Sequence, residues 1–267
     1  MILPSASSAA LALTVTATLA YALPAAVSDR MNLGGIRNAL LVAWVLHGLA
    51  LAWGLFGQTP QFGFAPALSV TAWLTLTVYG IESRLFPQLR ALGALAGLGA
   101  ASVVMAWLFP GSPLHQQASP WLPLHWALGI ASYGMFAAAV FHAWLMRRAE
   151  KQMRLAAQQD SGVPLLTLER LTFRFVTAGF VLLSATLLAG WWFSETLYGA
   201  GKAWKWDHKT IFSVLSWIAF AVLLVGRSRL GWRGLKAVRM LYFGSALLLL
   251  AYVGSRFVLE VVLGRAT

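Results

Sequence analysis

The sequence predicts an all-α, polytopic membrane protein: a bundle of eight transmembrane helices, one integral membrane domain over residues 1–267, with both termini outside. Three observations predict it. The first is composition. The chain is 59% hydrophobic and 10% charged, with a mean hydropathy of +0.71, whereas soluble domains carry about 25% charged residues. The second is run length. Stretches of the roughly 20 apolar residues that a bilayer-crossing helix needs recur at about 5–27, 37–57, 64–83, 90–109, 121–146, 171–194, 209–226 and 237–262. Polar or Gly/Pro-rich breaks separate them. The third is the placing of charge. Fifteen of the 20 Lys and Arg fall on one side: Arg30, Arg37, Arg84, Arg90, the group from Arg147 to Arg174, and the group from Arg227 to Arg239. Lys202, Lys205, Lys209, Arg256 and Arg265 fall on the other. Basic residues gather in the cytoplasm, so the larger group is expected inside.

Each element follows from these rules. The first span lacks a basic stretch before it and is expected to stay rather than be cleaved. The segment from Arg147 to Arg170 is the longest polar one and reads as a charged loop with a helical turn or two. Gly93 and Gly97 are spaced for close helix packing in the fourth span. The formal charge of +12 belongs to the membrane surface and predicts no nucleic-acid partner. With no cysteine in the chain, disulfides, iron–sulfur ligation, zinc–thiolate sites and thioether attachment of haem are excluded. Neither a nucleophile elbow, HExxH, a phosphate loop nor a pair of mid-membrane carboxylates appears. The sequence therefore offers no motif for a catalyst acting alone.

The segment Trp191–Lys209, WWFSETLYGAGKAWKWDHK, is the richest in chemistry. Trp191, Trp192, Trp204 and Trp206 offer flat stacking surface, or an interfacial belt. Lys202 and Lys205 suit two propionates, or lipid headgroups. Asp207 suits a helix N-cap, or a hold on a neighbouring lysine or histidine. His125 opens the fifth span and His208 the seventh, at similar depth. Imidazole is a common axial ligand of haem iron, so the two could clasp one haem between them; the plainer reading is a pair of interfacial histidines. His47 lies mid-membrane, roughly 15 Å from either surface at 1.5 Å per residue. A polar group at that depth is a candidate for function, as a second metal site or relay, or else a buried histidine bonded to a hydroxyl or carbonyl. His142 lies roughly 25 Å from His125 along the same helix and cannot share its haem. It reads as a boundary histidine or as part of a second buried site. His115 reads as a solvated loop residue.

These residues resemble the cytochrome c assembly superfamily, which includes the CcsA and CcmC proteins. Trp204, Trp206, Asp207 and Lys209 match its tryptophan-rich WWD-like motif. Trp121, Leu122, His125, Ser132, Tyr133 and Phe136 match the run around its outer histidine. The chain is most similar to the eight-span YpjD/HemX-like branch through His208-Lys209-Thr210, Ser213, Trp217, Phe220, Gly226-Arg227, Gly231-Trp232-Arg233-Gly234 and the run Ala251–Glu260; His47 also matches that branch. The resemblance implies a multi-pass protein of the bacterial inner (cytoplasmic) membrane that holds or hands over non-covalent haem b at the outer face. Its partners would be haem, membrane lipid, and other cytochrome c assembly or haem-synthesis proteins. Where full haem lyases carry a histidine after the tryptophan-rich loop and its following span, this chain reads Val225-Gly226-Arg227, so His208 is inferred to supply the outer ligand. Two other readings stand beside this one. One is a HemX-like regulatory or assembly protein acting on haem-synthesis enzymes or another membrane complex, without haem chemistry of its own. The other is a transporter or quinol-linked partner with haem at His47.

Overall fold

A computed structural model describes residues 8–27, 33–57, 60–85, 92–113, 122–154, 164–193 and 206–264. His115, Lys202, Trp204 and Lys205 lie outside them. The helices are α1 (Ser8–Val27), α2 (Leu33–Phe56), α3 (Phe64–Leu85), α4 (Leu92–Leu108), α5 (Leu122–Arg154), α6 (Leu165–Trp192), α7 (His208–Leu230) and α8 (Gly234–Leu249). After α8 the chain continues as a π turn, Leu250–Gly254, one short α turn, Ser255–Phe257, and a second π turn, Val258–Val262. The protein is thus all-helical in its spanning segments, as expected. Among the described residues seven helices are long and apolar enough to cross a membrane. The fourth predicted span is the shorter apolar helix α4, of 17 residues, about 25 Å at 1.5 Å per residue.

Two local features differ from the sequence reading. The charged segment after residue 146 is helical at both ends among the described residues: α5 runs on to Arg154 and α6 already begins at Leu165. Backbone hydrogen bonding does not stop where the apolar run stops, and an Arg147–Glu150 ion pair at 2.9 Å, spaced i, i+3, supports the extension. The second feature is a short antiparallel ribbon that no alternation in the sequence announces. Strands β1 (Gln61–Phe62) and β2 (Ser112–Pro113) pair Gln61 with Pro113 and Phe62 with Ser112. Gly111, at φ 88°, enters it with a backbone that favours glycine.

The chain divides into two compact units. In the first, which holds α1 to α4, the ribbon and the residues from Leu259 on, α1 packs on α2 and α4, and α3 on α4. Trp44 and Trp73 stack with centroids 4.9 Å apart. The Trp73 indole N–H donates to the Trp44 carbonyl at 3.0 Å, and the Trp44 indole to Thr77 Oγ1 at 2.8 Å. One close-packing glycine of α4 is a residue that the Gly93/Gly97 spacing does not include. A Cβ on Gly97 would meet nothing within 4 Å, whereas one on Gly99 would stand 2.7 Å from the buried Tyr21 ring. Gly97 is therefore not a close contact among the described residues; the Tyr21 ring meets the opposite face of α4, at Gly99.

The second unit holds α5 to α8 and the chain as far as Val258. Its core is a stack of Phe136 on Phe220, 3.7 Å between centroids and 6° from parallel. Gly179 admits the first ring and Gly244 the second, since a Cβ on either would lie within about 3.1 Å of ring carbons. Ser216 donates across to the Gly244 carbonyl at 2.8 Å. Helix α7 ends on Gly231 at φ 63°, with the Trp232 N–H returning to the Gly226 carbonyl at 3.0 Å. That left-handed turn closes the helix and starts α8.

Candidate functional site

The antiparallel register of the second unit places the candidate residues. Gly129 of α5 faces Thr186 of α6, and Phe136, seven residues on, faces Gly179, seven residues back. Continuing that register from Gly129 to His125 reaches Gly190, the residue before Trp191. Between α6 and α7, Phe180 stacks on Trp217 and Glu169 pairs with Arg227. The same register brings Trp191 and Trp192 level with Trp206 and His208. His125, Trp191, Trp192, Trp206, Asp207 and His208 therefore gather at one end of the unit. Each comes from a helix terminus: the start of α5, the end of α6, the start of α7.

The side chains at this end divide by environment. Trp191, Trp192 and Trp206 are 59%, 76% and 69% exposed, at helix ends where a bilayer interface favours tryptophan. Trp191 and Trp192 meet edge to face, 6.4 Å apart. The carboxylate of Asp207 accepts the Thr210 N–H at 2.9 Å; of the two roles its sequence allowed, it performs the N-cap. His208 is exposed on the first turn of α7. His125 is half-buried, its ring beside the Thr186 backbone. Its Nδ1 is shielded from solvent and has no hydrogen-bond partner among the described residues. Buried polar atoms without partners are uncommon, and in the tautomer that leaves Nδ1 unprotonated its electron pair can ligate a metal.

Two residues at this end were not singled out from the sequence as site residues. Tyr133, one helical turn below Gly129, donates its hydroxyl to the Leu248 carbonyl, where α8 gives way to its π turn. Counting outward from that contact sets Arg256 level with His125, its guanidinium over the Tyr252 ring at 5.8 Å. Tyr133 was legible only as a motif letter, and Arg256 as a motif letter and as a charge spaced i, i+4 from Glu260 near the outer end of the last span. π turns inside helices often mark functional positions, but nothing in composition signals one.

The other two histidines are placed elsewhere. His142, 1% exposed, lies 17 residues along α5 from His125, with Nδ1 2.7 Å from the Ala138 carbonyl and its ring 5.2 Å from Phe175. A carbonyl only accepts, so Nδ1 carries the proton. His47, in the first unit, is 1% exposed; its Nδ1 meets the Tyr21 hydroxyl at 3.2 Å and its Nε2 the Ser69 hydroxyl at 2.8 Å. Both ring nitrogens are engaged by hydroxyls, which is the environment a neutral buried imidazole needs. Iron at His47 would have to displace one of those bonds.

Comparison with known proteins identifies the family. The family model described as "Cytochrome C assembly protein" matches residues 6–263. An uncharacterised 28.8 kDa protein of Azospirillum brasilense is 29% identical over 238 residues, covering 83% of this chain and 82% of its own. The inner membrane protein YpjD of Escherichia coli K12 is 26% identical over 241 residues, covering 86% and 90%. A cytochrome c biogenesis protein CcsA of Synechococcus sp. WH7803 is 23% identical over 290 residues, covering 91% and 90%. No solved structure matches. A match that runs through both compact units, from the first helix to the last π turn, makes this multi-pass helical chain a member of the cytochrome c assembly protein family.

Proposed function

We propose that the chain binds haem b non-covalently at the His125 end of its second unit and holds it, or hands it on, at the outer face of a bacterial inner membrane. His125 and His208 would be the axial ligands. Trp191, Trp192, Trp204 and Trp206 would form the stacking shelf, and Lys202 and Lys205 the propionate partners, with Arg256 as a third cation. Asp207 sets the start of α7 and so the position of His208. The observation that carries this reading is the orphaned Nδ1 of His125 at the same end as three exposed tryptophans. Family membership supports haem as the cargo, because the relatives include proteins named for cytochrome c biogenesis. Two imidazoles leave no open coordination position, which suits carrying haem better than oxygen chemistry. His47, hydrogen-bonded on both sides, serves this reading as a buried structural or relay group.

The test is an absorption spectrum of the detergent-purified protein with a haemochrome count, followed by titration of the apo-protein with haem at two salt concentrations. Trp206→Ala removes stacking area of order 100 Å², worth about 2–3 kcal/mol at roughly 25 cal/mol per Å². Lys202→Ala costs less, about 0–1 kcal/mol for a wet ion pair, and its effect fades with salt. Equal, salt-sensitive losses would mark an electrostatic loop instead of a shelf.

The regulatory reading draws on the opposite end of the unit, where Arg147, Arg148, Arg170, Arg174, Arg227 and Arg229 collect. It predicts a colourless protein. Topology is tested separately. With eight spans, α4 among them, and the 15-to-5 division of Lys and Arg, both termini are outside. A periplasm-active reporter fused after residue 267 is expected to be active; activity only of a cytoplasmic reporter would reverse the side on which the tryptophans stand.

A further inference from the structure

At the arginine-rich end of the second unit, α6, α7 and the turn before α8 enclose a groove of about 900 Å³. Arg170, Arg174, Arg227 and Arg233 line it, with Glu169 as its one carboxylate. Glu169 is spent on Arg227, at 2.5 Å, and that guanidinium also lies over the Phe173 ring at 4.6 Å. Arg170, Arg174 and Arg233 are exposed, with no carboxylate partner among the described residues. They leave the groove with a net charge of +3. The positions come from three separate stretches of chain and converge because α6 and α7 run antiparallel and Gly231 turns the chain sharply into α8.

The groove does not end at the charges. From Arg174 it continues along one face of α6 past Thr177, Ala178 and Val181 to Leu182, about 12 Å at 1.5 Å per residue. That stretch lies within the apolar span Leu165–Trp192, at the depth of acyl chains. A free phosphate or nucleotide would use the cations and leave the apolar run empty. A lipid with a neutral headgroup would use the run and leave three arginines uncompensated. We propose that this groove is a binding site for one anionic phospholipid of the adjoining leaflet, its phosphate among Arg170, Arg174 and Arg233 and a chain laid along α6 to Leu182. The Glu169–Arg227 pair forms the floor that holds α6 to α7 beneath the headgroup. The site is independent of haem and lies at the other end of the unit from His125.

A uniformly basic surface attracts anionic lipid everywhere, so the test compares arginines inside the groove with arginines beside it. Protein purified in a neutral detergent is titrated with phosphatidylglycerol or phosphatidylcholine of the same chain length, and bound lipid is counted by native mass spectrometry. The first phosphatidylglycerol is expected to bind at least about ten-fold more tightly than phosphatidylcholine. Arg174→Gln and Arg233→Gln are each expected to weaken it about five-fold. Arg229→Gln and Arg239→Gln, exposed but outside the groove, are expected to leave it unchanged. Ala178→Trp, which fills the apolar run, is expected to weaken both lipids; circular dichroism confirms the fold of every variant. Equal losses from all four arginine substitutions would overturn the site in favour of general surface potential. Competition by millimolar inorganic phosphate, or an unchanged Ala178→Trp, would overturn the lipid assignment.

Discussion

Replacing His125 by alanine is expected to lower haem retention by more than about ten-fold and to move any remaining spectrum from low to high spin. Changes even in the groups that orient a metal ligand typically cost 10- to 100-fold in metal affinity, and here the ligand itself is removed. The substitution also deletes an orphaned polar atom, Nδ1, from a shielded position, so the fold itself is expected to tolerate it. His208→Ala is expected to give the same spectral shift with less effect on stability, since His208 is exposed on the first turn of α7 and Asp207 still caps the helix. His142→Ala separates site from scaffold. It breaks a buried hydrogen bond to the Ala138 carbonyl and is expected to lower stability without altering spin state. Wild-type haem content and a low-spin spectrum in both the His125 and His208 variants would remove the proposed pair.

The largest effect on stability is expected at Phe220. This side chain is fully buried, stacks on Phe136 at 3.7 Å and fills the space opened by Gly244. Truncating a buried Phe to Ala typically costs about 3–5 kcal/mol. Helix association in a bilayer rests on such van der Waals contact rather than on expulsion of water, so the lost packing and the cavity dominate here. Phe220→Leu keeps much of the volume and is expected to cost less than half as much. Unfolding in mixed micelles, followed by tryptophan fluorescence, measures both. A Phe220→Ala protein as stable as the Leu variant would show that the ring stack does not hold the unit together.

How much of this was legible in sequence depends on the kind of force that writes the information. Seven of the predicted spans match long apolar helices to within several residues, and the arginine-rich termini collect together in the second unit. Bilayer crossing needs only length and apolarity, and charge placement is read locally. The capping role of Asp207 was likewise open to reading, because a cap involves a residue and its neighbour three places on. That His125, Trp191, Trp192, Trp206 and His208 lie at helix ends was likewise legible, since the apolar runs stop beside them.

Which face of a helix meets which neighbour was not legible. In lipid a span is apolar all round, so no stripe marks the packed side. Hence Gly99 rather than Gly97 receives an aromatic ring. Within the histidine run, Ser132 bonds back to the Gly129 carbonyl, Tyr133 reaches Leu248 and Phe136 joins the core stack. The run looks chemical in sequence, yet Ser132, Tyr133 and Phe136 are packing residues. The chain by itself determined that it is helical and multi-pass, and roughly where its apolar helices and its charges fall along the sequence. Only the tertiary structure decided that one nitrogen of His125 is shielded without a partner among the described residues, that His47 has hydroxyls on both sides, and that arginines from three segments share one groove. Each of those depends on contacts between residues far apart in the chain, set by ring shapes and antiparallel register that no local pattern encodes.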